Sequence, residues 1–168
     1  GTNPGRITTA VTVEPDGTLR PVPTKIERVD GKWYAVIRSM TNSLYALVGK
    51  TAAFADVENH WSKDVVNDMA SRLVVNGRSN GHYEPDRPIT RVEFAAILVR
   101  GLGLKADDRP VTFTDVSAAD WYYREVQTAY QYGIVQGYSD GTFRPMERIT
   151  REQAAVMLSR AMALAEIQ

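Results

Sequence analysis

Gly137-Tyr138-Ser139-Asp140-Gly141-Thr142-Phe143-Arg144-Pro145, followed by Ile149-Thr150-Arg151, decides the reading of this chain because it occurs twice. At an offset of sixty stand Gly77-Arg78-Ser79-Asn80-Gly81-His82-Tyr83-Glu84-Pro85 and Ile89-Thr90-Arg91. The same offset carries Trp61 onto Trp121, Val66 onto Val126, Val75 onto Val135, and Leu98 and Arg100 onto Leu158 and Arg160. Upstream, Phe54-Ala55-Asp56-Val57 matches Phe113-Thr114-Asp115-Val116 with one residue inserted before Trp121. A fixed period of this kind marks a tandem structural unit.

Each copy reads as helix, loop, helix. Trp61, Val65, Met69 and Leu73 fall at i, i+4 spacing and predict one apolar stripe on a first helix. Trp121, Val126, Ala129 and Tyr130 predict its counterpart. Asn80-Gly81 and Asp140-Gly141 signal turns, since these residues tolerate positive φ. Pro85 and Pro145 stop regular structure. Thr90 then stands three residues before Glu93, and Thr150 three before Gln153, the spacing of a capping box at a second helix. Phe94, Ile97, Leu98 and Leu102 are its expected buried face in copy one, and Ala154, Met157, Leu158 and Met162 in copy two.

Residues 1–51 differ in kind. Thr8 to Val13, Lys25 to Val29, Trp33 to Ile37 and Leu44 to Val48 read as short strands, with a turn at Glu14–Gly17 and a hairpin signal at Asp30-Gly31. The expected class is therefore α+β: short strands and hairpins, then tandem helix-loop-helix repeats. The expected divisions are 1–51, the end of an upstream β domain; 52–107, the first repeat; and 108–168, the second.

Composition closes several doors. The 168 residues carry 20 Lys+Arg against 20 Asp+Glu, so no cationic surplus exists to neutralise a phosphate backbone, and nucleic acid is not an expected partner. No apolar run approaches the ~20 residues that span a bilayer, so no membrane insertion is expected. There is no cysteine, and His60 and His82 are the only histidines; a zinc site or a histidine-based triad would have to use both or borrow carboxylates, and their settings suggest neither, so no metal and no cofactor is expected. The opening Gly1-Thr2-Asn3-Pro4-Gly5 reads as a cut edge, so an export signal is expected outside this sequence.

Phe-x-Asp-Val, a Trp opening a helix, Gly-x-Ser-[Asn/Asp]-Gly-x-[Tyr/Phe]-x-Pro and Ile-Thr-Arg, in that order and twice, strongly resemble the S-layer homology domain over residues 54–164. The resemblance implies a partial pseudo-threefold helical bundle. It also implies non-covalent attachment of an exported protein to a secondary cell-wall polysaccharide, often ending in a pyruvylated amino sugar. The place implied is the extracellular surface of a Gram-positive cell. The family's Thr-Arg-Ala-Glu motif reads Thr90-Arg91-Val92-Glu93 and Thr150-Arg151-Glu152-Gln153 here, and its Arg is implied as a ligand residue. Repeats of this kind usually come in threes, so a third is expected from another segment or another chain.

The residues themselves give a reason for an anionic ligand. Arg91 and Arg151 stand in the first turn of a helix, where the dipole disfavours a cation by ~0.3–1 kcal/mol. A carboxylate held by free amides and a guanidinium fork would offset that. Replacing either Arg by Ala is expected to weaken binding with little loss of fold. Trp61 and Trp121 are core residues or sugar-stacking faces; Gly77 and Gly137 are turn formers or points of close ligand approach. Thr90, Thr150, Glu93 and Gln153 are caps first and ligand contacts second, and Asp56 and Asp115 read as turn or cap acids first and metal ligands second. The expected function is anchoring with no catalytic residue in this chain. The alternatives are a self-associating surface-lattice module, or the wall-anchoring end of an extracellular glycoside hydrolase. A calcium-binding duplicated helical module is excluded, because the loops lack acids at alternate positions.

Overall fold

The computed structural model describes residues 4–78, 80–107 and 109–166; Ser79 of the repeated motif lies outside them. The chain holds both strands and helices, the α+β class expected, and divides into two compact units, Gly1–Arg87 and Pro88–Gln168. The division falls inside the first sequence repeat, between its loop and its second helix.

In the first unit, β1 (Thr9–Val13) is the middle of an antiparallel three-stranded sheet between β2 (Leu19–Val22) and β5 (Ala46–Val48). Its central place explains why Thr9 to Thr12 are all buried, with Ala10, Val11 and Val22 forming the sheet's core. β2 was not legible as a strand because Leu19-Arg20-Pro21-Val22 contains a proline. It is tolerated because β2 is an edge strand, where Pro21 faces Val11 and its missing amide costs no ladder bond to a further neighbour. β3 (Thr24–Val29) and β4 (Lys32–Ile37) form a separate ribbon in which Val29 faces Lys32. Asp30 and Gly31 have φ of 49° and 79°, and two consecutive positive values give the twist a two-residue hairpin needs.

The sheet is tied to the first helix, α1 (Lys63–Ser71). The Thr8 hydroxyl donates to the Ser71 carbonyl at 2.9 Å, the Ala52 amide to the Ser71 hydroxyl at 3.0 Å, and Arg72 Nη1 to the carbonyls of Thr8 and Thr24. The strand segment and the opening half of repeat one thus share a unit. The buried face of α1 is Val66, Ala70 and Ser71, with Ser62 ahead of it, about one residue round from the expected stripe. Trp61 and Val65 are 89% and 64% exposed. Leu73 lies beyond the helix end at φ 63°, a left-handed position filled by Gly133 in the second copy.

The second unit holds α2 (Arg91–Leu102), α3 (Tyr123–Gln131) and α4 (Arg151–Leu164). α2 ends at Gly103 in the left-handed conformation, with the Leu104 amide reaching back to the Val99 carbonyl. One core draws Val92, Ala95 and Val99 from α2, Val126 and Ala129 from α3, and Met157 from α4, around Ile134, Val135 and Phe143. So the second helix of repeat one packs with the first helix of repeat two. That packing shifts the expected faces. On α2, Val92, Ala95, Ala96 and Val99 are buried, while Phe94, Leu98 and Leu102 pack only partly against the core. On α4, Met157 and Ala161 are buried, but Leu158 and Met162 are 46% and 37% exposed. On α3, Val126 and Ala129 are buried as expected, whereas Trp121 and Tyr130 stand outside.

Candidate functional site

Both helix entrances carry the complete capping box. Thr90 is extended, and its hydroxyl accepts from the Glu93 amide at 3.3 Å. The Glu93 carboxylate accepts from the Thr90 amide at 2.8 Å and from its hydroxyl at 3.0 Å. Thr150 and Gln153 repeat the arrangement at 3.2 and 3.3 Å. Gln153 has an amide to spare, and Nε2 donates to the Tyr138 hydroxyl at 3.0 Å.

The loop ahead of each second helix is built around an acid and an aromatic ring. Asp115 accepts from the amides of Phe143 and Arg144 at 2.8 and 2.7 Å; Asp56 does the same for Tyr83 and Glu84. Burial would raise the Asp56 carboxyl, but the Glu84 and Tyr83 amides outweigh it and hold it below its ordinary value. Glu84 and Arg144 both sit at φ 59°, so the two acids stabilise a strained turn as well as capping it. A side chain at Gly77 or Gly137 would overlap the ring of Phe54 or Phe113, respectively. The glycines admit an aromatic ring edge-on, a role the turn signals did not suggest.

The two arginines stand in different surroundings. Arg91 is 6% exposed. Its amide donates to the Glu147 carbonyl at 2.9 Å, and the neighbouring Val92 amide to Pro145 at 3.1 Å. Its guanidinium donates from Nε to the Phe143 carbonyl at 3.0 Å and reaches the Gln136 carbonyl from Nη2 at 3.5 Å. It lies 5.0 Å from the ring centres of both Tyr138 and Phe143. No carboxylate pairs with it among the described residues. Buried charges are normally paired, so this one is exceptional. The expectation that Arg91→Ala would leave the fold nearly untouched is therefore corrected: two carbonyls and two rings would lose their partner. Arg151, at the equivalent turn of α4, is exposed, and its side chain makes no hydrogen bond or ion pair among the described residues.

Trp61 and Trp121 are 89% and 61% exposed, which corrects the core reading of both. Trp61 lies 5.4 Å from the His60 ring, and Trp121 stands edge-on to the buried Tyr122 at 5.3 Å. An exposed indole braced from one side leaves its other face open, as a sugar ring requires.

Arg144, which sequence reasoning passed over, stacks 4.0 Å above the ring of Tyr138. Asp140 holds it at 2.9 Å, and Glu147 stands 3.8 Å away. The Thr142 hydroxyl, then Arg144, then the Thr142 amide pull the Asp140 carboxyl down to about 2. Asp140 in turn raises the Arg144 guanidinium. No signal in the repeat could have flagged this cation, because its counterpart in copy one is Glu84. Among the described residues no group of three or more His, Asp or Glu is placed to hold a metal, and no helix is long and apolar enough to cross a membrane.

The chain matches the model of the S-layer homology domain over residues 53–95 and again over 112–155. It is 38% identical to an amylopullulanase of Thermoanaerobacterium thermosulfurigenes over 120 residues, 71% of this chain and 6% of that protein. It is 36% identical to the exoglucanase XynX of Acetivibrio thermocellus over 123 residues, 73% of this chain and 11% of that enzyme. A surface-layer 125 kDa protein of Lysinibacillus sphaericus is 35% identical over 104 residues, 62% of this chain and 9% of that protein. The chain thus spans a small fraction of each relative's length.

Proposed function

The chain belongs to the S-layer homology family, and from that premise we infer that it is an extracellular, non-catalytic module that anchors its parent protein to the bacterial cell wall. Its relatives divide between polysaccharide-degrading enzymes and surface-layer proteins, and this segment is the small part they share with it. A shared segment among proteins of different activity fits a common location better than a common reaction.

The ligand in this reading is an acidic wall polysaccharide, and a pyruvylated amino sugar is the form its chemistry fits. The observation that carries it is Arg91, a buried guanidinium with no carboxylate paired to it among the described residues, whose Nη2 end reaches the exposed residue Gln136. A pyruvyl ketal would supply the missing charge. Arg151, with Thr150 and Gln153 beside it, is a second contact; Trp61 and Trp121 supply sugar faces. Thr90, Glu93, Gly77 and Gly137 shape the loops and helix entrances that carry these contacts.

Titration of the protein with purified wall polysaccharide, native and stripped of pyruvate by mild acid, tests the reading. Arg151→Ala is the clean variant, and Arg91→Lys probes the buried fork without emptying it. A charge-assisted contact is worth ~1.5–3 kcal/mol, so each is expected to lose about tenfold or more in affinity for the native polymer. Equal binding of both polymers by the wild type, or unchanged binding by the combined variant, ends the proposal.

A self-association reading has its own support in exposed apolar residues: Leu158 and Met162 on α4, and Trp33 and Tyr34 on the β3–β4 ribbon. Such surfaces often mark interfaces. Light scattering across a concentration series would show a rising mass if another copy covers them, and a constant monomer mass would remove this reading.

A further inference from the structure

The β3–β4 ribbon is a sheet of its own, and β4 pairs with β3 alone. Its register fixes which backbone groups are left over. Val29 faces Lys32 across the two-residue turn, and at the other end the Arg38 amide donates to the Pro23 carbonyl at 2.9 Å. Antiparallel ladders alternate, so Lys32, Tyr34 and Val36 are the residues that exchange bonds with β3. Trp33, Ala35 and Ile37 turn their amides and carbonyls outward, and no hydrogen bond holds those groups among the described residues. The ribbon is tied to its unit through β3: the Ala10 amide donates to the Thr24 hydroxyl at 2.9 Å, and Arg72 Nη1 to the Thr24 carbonyl at 3.2 Å. The outer side of β4 is a free edge.

The edges of the neighbouring sheet are guarded. β2 carries Pro21, and β5 is only three residues long. The β4 edge, Lys32-Trp33-Tyr34-Ala35-Val36-Ile37, has six residues, no proline and a single charge. Its pairing with β3 runs unbroken from Thr24 and Ile37 to Val29 and Lys32, so no bulge twists it away. Trp33 and Tyr34 are half exposed, on opposite faces of the ribbon. Two strands by themselves are marginal in water, and growth to four strands stabilises them.

Resting on the self-association reading above, we propose that β4 pairs antiparallel with β4 of a second copy of this chain, giving one four-stranded sheet with the two-fold axis between the two Tyr34 residues. Such a pairing is isologous, so every contact occurs twice. With Tyr34 opposite Tyr34, the outward groups of Trp33 bond to those of Ala35 in the second copy, and Ala35 to Trp33. The indole then lies against the smallest side chain of the strand, and the two phenols form a cross-strand aromatic pair on the other face. The same register sets Asp30 of each copy opposite Arg38 of the other. Both residues are exposed and carry no ion pair among the described residues, so two opposite-charge pairs close the ends. Sliding one strand by two residues sets Lys32 against Arg38 twice, and like charges disfavour that register. Sliding the other way sets Asp30 against Val36 and leaves Arg38 without an acid. Charge complementarity therefore points to a second copy in one register.

The test uses the full chain, which has no cysteine of its own. Light scattering over a concentration series should show the mass rising to that of a dimer. Tyr34→Lys sets two like charges on the axis and should raise the concentration of half-association about tenfold or more. Arg38→Glu should weaken association too, and adding Asp30→Asn, which keeps the turn chemistry, should restore part of the loss because it removes the acid facing the new one. Tyr34→Cys reads the register directly. A pair without ladder bonds sets its Cα atoms ~4.5 Å apart, within disulfide reach. Mild oxidation should link Tyr34→Cys into a covalent dimer about tenfold faster than Val36→Cys, an exposed position on the same face that would meet Lys32. The proposal is overturned if Tyr34→Cys links no faster than Val36→Cys, or if Tyr34→Lys associates as the wild type does. Self-association then stands and belongs to another surface. A wild type that stays monomeric throughout the series overturns the proposal together with the reading it rests on.

Discussion

Gly137→Ala tests the packing logic of the repeat most sharply. A β-carbon at 137 would overlap Phe113 Cε1 and stand 2.9 Å from both Phe113 Cδ1 and the Thr142 carbonyl oxygen. Ordinary contact begins at 3.4 Å, so the carbonyl alone must give by about 0.5 Å. Neither neighbour is free to move. The Phe113 ring is edge-on to Tyr130 at 5.1 Å and stacked on the fully buried Phe143 at 5.6 Å, and the Thr142 carbonyl is tied to the Tyr138 amide at 2.8 Å. Overpacking of this kind costs ~1–3 kcal/mol, and two rigid neighbours place the value in the upper half of that range. In a unit of this size a loss of ~2 kcal/mol lowers the melting temperature by ~8–16 °C. Urea denaturation followed by far-UV circular dichroism measures it. Gly77→Ala should cost less, since its nearest carbonyl is farther, at 3.1 Å from His82. Phe113→Leu should rescue part of the loss in a double-mutant cycle, because it removes the overlapping ring edge. A Gly137→Ala stability within 0.5 kcal/mol of wild type, or strictly additive effects with Phe113→Leu, would refute the close-approach account.

Asp115→Ala should lower the melting temperature well beyond Asp115→Asn, since the amide side chain still offers one acceptor to the Phe143 and Arg144 amides; equal losses would show that the acid does not cap the turn. Thr150→Ala should cost ~1 kcal/mol through loss of the α4 cap, read by the same denaturation curve. Asp140 titrates near 2 in the folded chain against 3.8 as a free side chain, so its contribution is complete above about pH 4 and is lost as pH falls toward 2. Acid titration of Asp140→Asn should lack that part of the loss, and an acid limb identical to wild type would argue against the Arg144 and Thr142 contacts. Trp121→Ala should change stability by less than ~0.5 kcal/mol because the indole is mostly outside, while weakening polysaccharide binding; a large loss of stability would return Trp121 to the core.

The repeat motif made the helix entrances legible, because a capping box is a local device. Thr90 and Glu93 need only each other and the backbone between them. The Asp30-Gly31 hairpin was legible for the same reason. What was not local was misread. Trp61 sits at the right spacing for a helical stripe, yet α1 begins at Lys63, so the indole belongs to the approach and not to the helix face. The faces of α2 and α4 depend on their neighbours. α2 is covered by the next repeat's helix and loop, which buries Val92 and Ala95 and leaves Phe94 at the rim. Periodicity shows that a helix has an apolar side but does not say where the covering element lies. Edge strand β2 was hidden by Pro21, whose tolerance depends on a strand order the local sequence does not encode.

The same distinction separates the two arginines, identical in motif and unlike in setting. Arg91 enters a receptacle made 45 to 52 residues later by Gln136, Tyr138 and Phe143, so its role is set by the repeat that follows it. Arg151 has the same cap and the same helix but no receptacle among the described residues. A shared motif therefore specifies the helix entrance, while the following loop decides whether its guanidinium is a buried charge or an exposed one. Binding contributed by Arg91 should consequently respond to changes at Tyr138 and Arg144. Binding contributed by Arg151 should not, and a double-mutant cycle of each arginine with Arg144 separates the two: strong coupling for Arg91 and none for Arg151 is the pattern this geometry requires.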